Sequence, residues 1–133
     1  MISSDNFRIY YEDTDAGGVV YYGNYLKYAE RSRTEFLRKL GITHKIAHAE
    51  HKILFVIKNV EMELLKPAIL DDLITVKTNI SEVGGVQLWM EQNIYLENTK
   101  ICFIKVRVVI VNEKLKPSPI PLKIKNLLHK CLD

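Results

Sequence analysis

Residues 24–40 read NYLKYAERSRTEFLRKL and carry the longest helical pattern in the chain. Apolar and small side chains recur there with the period of an α-helix. They form one stripe, made of Tyr25, Ala29, Ser32, Phe36 and Leu40. Charged side chains occupy the opposite face, at Lys27, Arg31, Glu35 and Arg38. The segment therefore predicts an amphipathic helix with one buried side.

The ends of this helix can also be predicted. Asn24 suits the N-cap, and Gly41 suits the position just after the last turn. The helix then has about 17 residues and spans roughly 25 Å. Arg31 and Glu35 lie four residues apart on the exposed face, which favours an ion pair between them.

Segments of β-type composition lie on both sides of the helix. Residues 7–11 precede it, and four longer runs follow it, at 52–65, 73–83, 86–96 and 100–112. Apolar and polar side chains alternate most clearly in residues 73–83. Gly84-Gly85 and residues 97–99 predict tight turns between the last three runs. Residues 122–132 predict a short closing helix.

One helix followed by a meander of strands predicts an α+β domain with an antiparallel sheet. One face of that sheet must be covered, and residues 24–40 form the only long helix expected. We therefore expect the sheet to wrap around this helix in a single domain, residues 1–133. The other sheet face carries Trp89 and Tyr95 among mixed residues, which predicts contact with a second subunit.

The composition is that of an ordinary globular protein. Of 133 residues, 47% are hydrophobic and 26% are charged, and the net charge is +3. This small excess predicts no nucleic-acid partner, although it suits a phosphate-bearing ligand. No apolar run reaches the roughly 20 residues of a membrane-spanning helix, and no signal peptide is visible. A cytoplasmic protein without an integral membrane segment is expected.

The most polar, glycine-rich stretch runs from Glu12 to Gly18, directly before the helix. A helix N-terminus offers unpaired N–H groups and a partial positive charge, which can stabilise an oxyanion. Gly17 and Gly18 let the backbone approach a ligand closely. A carboxylate held beside such donors could attack an acyl carbon or activate water. The alternative is a solvated turn in which aspartates cap their own backbone.

Metal sites fit this sequence less well. Residues 13–15 begin like a calcium-binding loop, but Gly17 stands where a further oxygen ligand is needed, and no glutamate follows at the required distance. Cys102 and Cys131 lack metal-ligand spacing and are expected to be reduced thiols, with Cys102 packed inside a strand.

Three histidines, His44, His48 and His51, have spacings that can place two imidazoles on one helical face. No carboxylate with metalloenzyme spacing accompanies them. A polar connector between helix and strand is the simpler interpretation, so no metal is predicted.

Residues 10–25, YYEDTDAGGVVYYGNY, closely resemble the opening motif of the YbgC-type acyl-CoA thioesterases, which belong to the 4-hydroxybenzoyl-CoA thioesterase family. The similarity continues through residues 30–35, ERSRTE, in the predicted helix. It resumes at residues 67–68, 70–72 and 116–117. The resemblance thus extends over nearly the whole chain in the expected order.

This resemblance implies a hotdog fold, in which a five-stranded antiparallel sheet wraps around one long helix, and hydrolysis of acyl-CoA without a cofactor. The second aspartate of the family's Asp-x-Asp motif falls on Asp15, as nucleophile or as general base toward water. The oxyanion donor falls on the backbone N–H of Tyr22 or its neighbours. The implied substrate-binding positions are Gly17, Gly18, Val19, Tyr21, Gly84 and Gly85.

The resemblance also implies an assembly and a setting. Family members form dimers with joined sheets and often pair them into homotetramers, so a dimer of dimers is expected here. Acyl carrier protein is a second candidate acyl donor beside acyl-CoA. Lipid metabolism is the implied role, with peripheral association at the inner membrane as an addition to a cytoplasmic location.

Two departures from the family pattern stand out. Many YbgC-type members have a histidine where this chain has Tyr22, and a phenol, with a pKa of about 10, does not act as a base at neutral pH. Relatives often carry basic residues in the hairpin at residues 82–87, where this chain has none. Lys58, Lys66 and Lys77 are candidates to hold the CoA phosphates instead.

Two other functions remain open from the sequence alone. A hydratase or dehydratase acting on an acyl thioester would need a paired histidine and carboxylate, and the loop has no histidine. A non-catalytic module could bind acyl thioesters or acyl carrier protein without turnover. Release of thiol from acyl-CoA separates hydrolysis from both.

Overall fold

The computed structural model describes residues 1–132, which fold as a sheet curled around a helix. Its elements are β1 Ser3–Arg8, a 3₁₀ turn Tyr11–Asp13, α1 Gly23–Lys39, α2 His44–His51, β2 Leu54–Leu64, β3 Leu73–Val83, β4 Gln87–Leu96, β5 Thr99–Val111 and α3 Leu122–His129. The five strands form one antiparallel sheet in the order β1-β3-β4-β5-β2, so β1 and β2 are its edges. The predicted α+β architecture is confirmed.

Helix α1 covers the inner face of the sheet, as its pattern predicts. Most of the stripe is buried, at Tyr25, Ala29, Ser32 and Phe36, while Leu40 is half-buried at the C-cap. Gly41 ends the helix with a φ of 82°, where its N–H donates to the Arg38 carbonyl at 2.9 Å. The Ile42 N–H donates to the Leu37 carbonyl at 2.9 Å. These two bonds form a Schellman motif, so the prediction for Gly41 is confirmed.

The predicted N-cap, Asn24, is wrong by two residues. Tyr22 occupies the N-cap position, and its side chain makes no capping hydrogen bond within residues 1–132. Asn24 lies inside the first turn and is buried, with its Nδ2 donating to the Asp13 carbonyl at 2.8 Å. Asn24 therefore ties the preceding loop to the helix, because its side chain is directed at that loop rather than at the helix backbone.

The predicted ion pair between Arg31 and Glu35 is also wrong. The Glu35 carboxylate instead accepts from Nε of Arg38, three residues further on, at 3.2 Å. Arg31 consequently has no ion pair among residues 1–132.

Strand β1 lies earlier than predicted, at Ser3–Arg8 rather than residues 7–11. Its composition is poor for a strand, but it pairs residue for residue with β3, from Ser3 opposite Thr78 to Arg8 opposite Leu73. Backbone pairing at the sheet edge thus outweighs local propensity. The 3₁₀ turn takes the place of the predicted strand end.

The β3–β4 turn is closed by the Gly84 N–H, which donates to the Gln87 carbonyl at 2.7 Å. Gly85 and Val86 are therefore its central residues, one position later than predicted. The Ile120 N–H donates to the Gly85 carbonyl at 2.9 Å, which attaches the C-terminal segment to this turn.

Residues 44–51, interpreted as a polar connector between helix and strand, lie between α1 and β2 and form helix α2, which the sequence pattern does not predict. The Thr43 side chain caps the helix by accepting from the Ile46 N–H at 3.1 Å, a local signal that explains the helix. Ala47 is its buried residue.

A buried polar network links α1 to the sheet. Nε2 of Gln92 donates to the Ala29 carbonyl at 2.8 Å and to Thr78 Oγ1 at 3.0 Å. Oε1 of Gln92 accepts from Arg33 at 2.8 Å. Burial lowers the pKa of the Arg33 guanidinium, and this bond satisfies part of its hydrogen-bonding capacity.

Both cysteines are buried and unpaired, as predicted. Burial raises the pKa of Cys102 to about 11, so its thiol is unreactive at neutral pH. Among residues 1–132, no helix is both long and apolar enough to cross a bilayer.

The outer face of the sheet pairs aromatic rings with cations. Nζ of Lys105 lies 5.1 Å from the centre of the Trp89 ring, and the Arg107 guanidinium lies 6.0 Å from it. Nζ of Lys77 lies 5.1 Å from the centre of the Tyr95 ring. Most of the side chains on this face are about half-buried because they cover one another.

Candidate active site

The loop before α1 is a miniature hairpin. Thr14 and Val20 form a β-bridge, and the Asp15 N–H donates to the Val19 carbonyl at 2.9 Å. The Gly18 N–H donates to the Asp15 carbonyl at 3.0 Å, with Gly18 at a φ of 82°. This is a three-residue turn whose last position needs a left-handed backbone, and glycine adopts that conformation without strain.

The hairpin orients the Asp15 carboxylate. Its Oδ1 accepts from the Gly17 N–H at 2.8 Å. A Cβ at position 17 would stand 3.1 Å from that oxygen, so the contact favours a glycine there. Asp15 is exposed, and its Oδ2 makes no hydrogen bond with residues 1–132. One carboxylate oxygen is therefore held while the other is available to a substrate or a water molecule.

Asp13 holds the hairpin against the helix. Its carbonyl accepts from the Tyr21 N–H at 2.9 Å and from Asn24 Nδ2 at 2.8 Å. Its Oδ2 accepts from the Tyr10 N–H at 2.8 Å. Asp13 is therefore bonded into the loop through both its carbonyl and its carboxylate.

Ala68 fixes the other side of the loop. Its carbonyl accepts from the Val20 N–H at 2.9 Å, and its own N–H donates to the Tyr25 hydroxyl at 3.2 Å. Burial raises the pKa of Tyr25, which keeps the hydroxyl protonated. The segment after β2 is thus attached to both the hairpin and the helix.

Two adjacent N–H groups at the start of α1, those of Tyr22 and Gly23, make no hydrogen bond within residues 1–132. The N–H groups of Gly18, Val20 and Tyr21 are already used inside the fold. The helix N-terminus also carries a partial positive charge. The N–H groups of Tyr22 and Gly23 are therefore unbonded at this helix end, and donors in such a position can stabilise an oxyanion.

Asp15 and Tyr22 line the same cleft, whose volume is about 310 Å³. The remaining walls are largely apolar and come from the hairpin, from α1 and from the end of β2: Val19, Val20, Tyr25, Leu64, Leu65, Lys66 and Pro67. The cleft thus joins a carboxylate, unbonded donors and an apolar surface, which suits an acyl group.

Of the predicted site residues, Asp15, Val19 and Tyr22 line this cleft, and the others do not. Gly17, Gly18, Val19 and Tyr21 belong to the hairpin or the residues just after it, and the Tyr21 and Tyr22 rings lie 4.8 Å apart. Gly84 and Gly85 follow the far end of β3, whose 11 residues span roughly 35 Å. Within one chain these two glycines are therefore remote from Asp15.

The three lysines proposed for CoA phosphates are also dispersed. Lys66 lines the Asp15 cleft. Lys77 covers Tyr95 on the outer sheet face, and Lys58 lies at an irregularity in the pairing of edge strand β2.

The apolar wall at Leu64 and Leu65 was not predicted from the sequence. Both side chains are about half exposed, at 51% and 48%. The sequence signal for this wall is a pair of adjacent leucines at the end of an edge strand, followed by Lys66-Pro67.

The histidines of α2 lie apart from the cleft. Nε2 of His44 is 3.3 Å from Thr34 Oγ1, and its ring meets Phe55 edge-on at 5.5 Å. Nε2 of His51 lies 3.9 Å from Glu50. Within residues 1–132, no group of three histidine, cysteine or acidic side chains is arranged to hold a metal ion.

Residues 17–103 match the family model described as the Thioesterase superfamily. This chain belongs to that superfamily. The acyl-CoA thioesterase YbgC of Haemophilus influenzae is 41% identical over 123 residues, which covers 92% of this chain and 90% of that protein. The acyl-CoA thioester hydrolase YbgC of Escherichia coli O157:H7 is 41% identical over 119 residues, with 88% of each chain covered.

Among solved structures, the crystal structure of a probable thioesterase from Bartonella henselae superposes with a TM-score of 0.87 at 35% identity. The match covers 91% of this chain and 100% of that one. The predicted resemblance to YbgC-type members of the Thioesterase superfamily is thus confirmed, and so is the hotdog fold.

Proposed function

We propose that this protein hydrolyses the thioester bond of acyl-CoA, with Asp15 as the catalytic carboxylate. The observation that carries the proposal is the Asp15 carboxylate lining one cleft with Tyr22, at the helix start where two N–H groups are unbonded. The names of the H. influenzae and E. coli relatives support the same activity.

The chemistry can follow either of two routes. As a general base, Asp15 takes a proton from water, and the resulting hydroxide attacks the thioester carbon. As a nucleophile, Asp15 attacks that carbon itself and forms an anhydride, which water then hydrolyses. In both routes the carbonyl oxygen becomes an oxyanion facing the N–H groups of Tyr22 and Gly23.

The departure of the leaving group requires little assistance from the side chains of the site. The carbon–sulfur bond breaks and releases the CoA thiolate, which takes up a proton. Thiols have a pKa of about 8.5, so departure as thiolate needs no strong general acid. This agrees with a site that combines one carboxylate with backbone donors.

Replacing Asp15 with asparagine tests the proposal. Asp15→Asn keeps the size of the side chain and an acceptor for Gly17 but removes the negative charge. We expect thiol release from acyl-CoA to fall by about 10²–10⁴-fold. Asp13→Asn is the matched control, and it should lose much less because Asp13 supports the loop. An Asp15→Asn enzyme with normal turnover would contradict the assignment.

The same assay addresses the rival functions. A panel of acyl-CoA chains and an acyl carrier protein thioester identifies the preferred donor. A hydratase would modify the acyl chain and leave the thioester intact, and a binding module would release no thiol. A role in lipid metabolism, a cytoplasmic location and peripheral association with the inner membrane remain predictions.

We also propose that the working site is completed by a second copy of the chain. Strand β2 is a sheet edge with exposed apolar side chains at Ile57, Val60 and Leu64. Pairing two β2 edges around a two-fold axis would join the sheets. Such a dimer offers a way to bring Gly84 and Gly85 of a partner toward Asp15. Contact between outer sheet faces would then give the predicted dimer of dimers.

A further inference from the structure

A second, larger cleft shares no lining residue with the Asp15 cleft. It has a volume of about 470 Å³ and lies between β1, the 3₁₀ turn and α1. Three of its lining residues are cationic, namely Arg8, Lys27 and Arg31, and two are acidic, Glu12 and Asp13. We call it the basic cleft.

The cations of the basic cleft are poorly neutralised by the protein. Lys27 and Arg31 are four residues apart on α1, where like charges repel each other. Neither forms an ion pair with residues 1–132, and Glu35, four residues after Arg31, is paired with Arg38 instead. Arg8 uses one N–H to reach the Asp71 carbonyl at 2.8 Å and has further donors to spare.

The acidic residues offset only part of this charge. Asp13 already accepts from the Tyr10 N–H through Oδ2 at 2.8 Å. Glu12 is exposed at the surface. With three cations against two carboxylates, the basic cleft keeps a net positive charge of one.

Tyr28 supplies a second, independent feature. It lines the basic cleft, is only 4% exposed, and its hydroxyl has no hydrogen-bond partner among residues 1–132. Burial, followed by the nearby Asp13 carboxylate, raises its pKa, so the hydroxyl remains a proton donor. The two groups nevertheless lie outside hydrogen-bond geometry. A buried donor without an acceptor is uncommon in folded proteins.

We propose that the basic cleft binds the phosphate groups of a ligand. Guanidinium and ammonium groups form charge-assisted hydrogen bonds with phosphate oxygens, and arginine does so with two parallel bonds. The cleft is large enough for several phosphate groups. Two sources share this chemistry, the phosphates of the CoA substrate and a separate phosphate or nucleotide. The first source rests on the proposed thioesterase function, and the second does not.

Binding measurements test the site without any turnover. Calorimetry would compare inorganic pyrophosphate and CoA on the wild-type protein and on the double variant Lys27→Gln/Arg31→Gln. We expect affinity for pyrophosphate to fall by at least about 10-fold when two phosphate partners are lost. Lys45→Gln/Lys114→Gln is the control, because it removes the same charge from exposed lysines that line neither cleft. The control should bind like the wild type.

Kinetics then distinguish the two sources. If the CoA phosphates occupy the basic cleft, the double variant raises KM for acyl-CoA but leaves KM for the matching acyl-pantetheine unchanged. If a separate ligand occupies it, pyrophosphate binding weakens while both KM values stay the same. Equal pyrophosphate affinity in the wild type and the double variant would overturn the proposal. Absence of thiol release in the wild type would overturn the thioesterase function alone.

Discussion

Gly17 and Gly18 are neighbours in the hairpin, but the structure favours glycine at each for a different reason. Gly17 has an ordinary backbone, and its constraint is the Asp15 oxygen that a Cβ would meet at 3.1 Å. Gly18 has open space around it, and its constraint is a φ of 82°. One glycine therefore protects the position of the carboxylate, and the other allows the turn.

This difference predicts opposite effects of two alanine substitutions. Gly17→Ala should lower kcat by about 10-fold or more, because a displaced carboxylate loses its alignment. Its melting temperature should change little. Gly18→Ala should destabilise the protein by about 1 kcal/mol through backbone strain. Thermal unfolding and thiol release on both variants provide the comparison, and equal profiles for the two would contradict this division of roles.

Two variants of Tyr22 distinguish the contribution of its backbone N–H to activity from that of its hydroxyl. Tyr22→Phe keeps the N–H and the ring, so most activity should remain. Tyr22→Pro removes the N–H, and the φ of −56° at this position is one that proline adopts. Loss of one oxyanion donor should reduce kcat by about 10²–10³-fold. A phenylalanine variant as inactive as the proline variant would show that the hydroxyl takes part.

At the scale of elements, α1 is terminated by a motif that depends on one residue. Gly41 has a φ of 82° and supplies one of the two bonds of the Schellman motif. Gly41→Ala should lower the free energy of unfolding by about 1 kcal/mol, and Gly41→Asn by less, because asparagine tolerates the left-handed region. Urea unfolding of the three proteins measures the difference. An alanine variant as stable as the wild type would contradict the stabilising role of glycine at this position.

The elements that local chemistry determines were predictable from the sequence. Helix α1 has a strong stripe and a terminal glycine, and its predicted bounds are within one residue of those observed. The sequence pattern predicts strand β1 too late in the chain, because the polar residues of β1 become a strand only through pairing with β3. The sequence does not predict helix α2, because its eight residues show little helical pattern beyond the Thr43 cap.

The candidate site also combines features that local sequence predicts with features that depend on long-range contacts. The loop around Asp15 is contiguous in sequence, so the sequence predicts that its residues lie together. The partnership of Tyr25 with Ala68 joins residues 43 positions apart, and spacing alone does not predict it. The proposed approach of Gly84 and Gly85 to Asp15 requires a second chain, and it remains a prediction.

At the scale of the whole molecule, the exposed edge of β2 predicts assembly. Light scattering at micromolar concentration should report two or four chains. Val60 is 48% exposed on β2, and a lysine there should oppose edge pairing. Val60→Lys should shift the protein toward monomer and reduce thiol release together. Ile46→Lys, at a 44% exposed position on α2, is the control. A fully active monomer would contradict the shared site.

The single tryptophan gives this protein an optical reporter of its own. Trp89 lies on the outer sheet face, half-buried beneath Lys105 and Arg107. Its emission depends on how much water surrounds the indole. If outer faces join two dimers, dilution should shift the emission toward longer wavelength as tetramers separate. Separation at the β2 edge leaves Trp89 in place and should leave the spectrum unchanged, so fluorescence can tell which interface has opened.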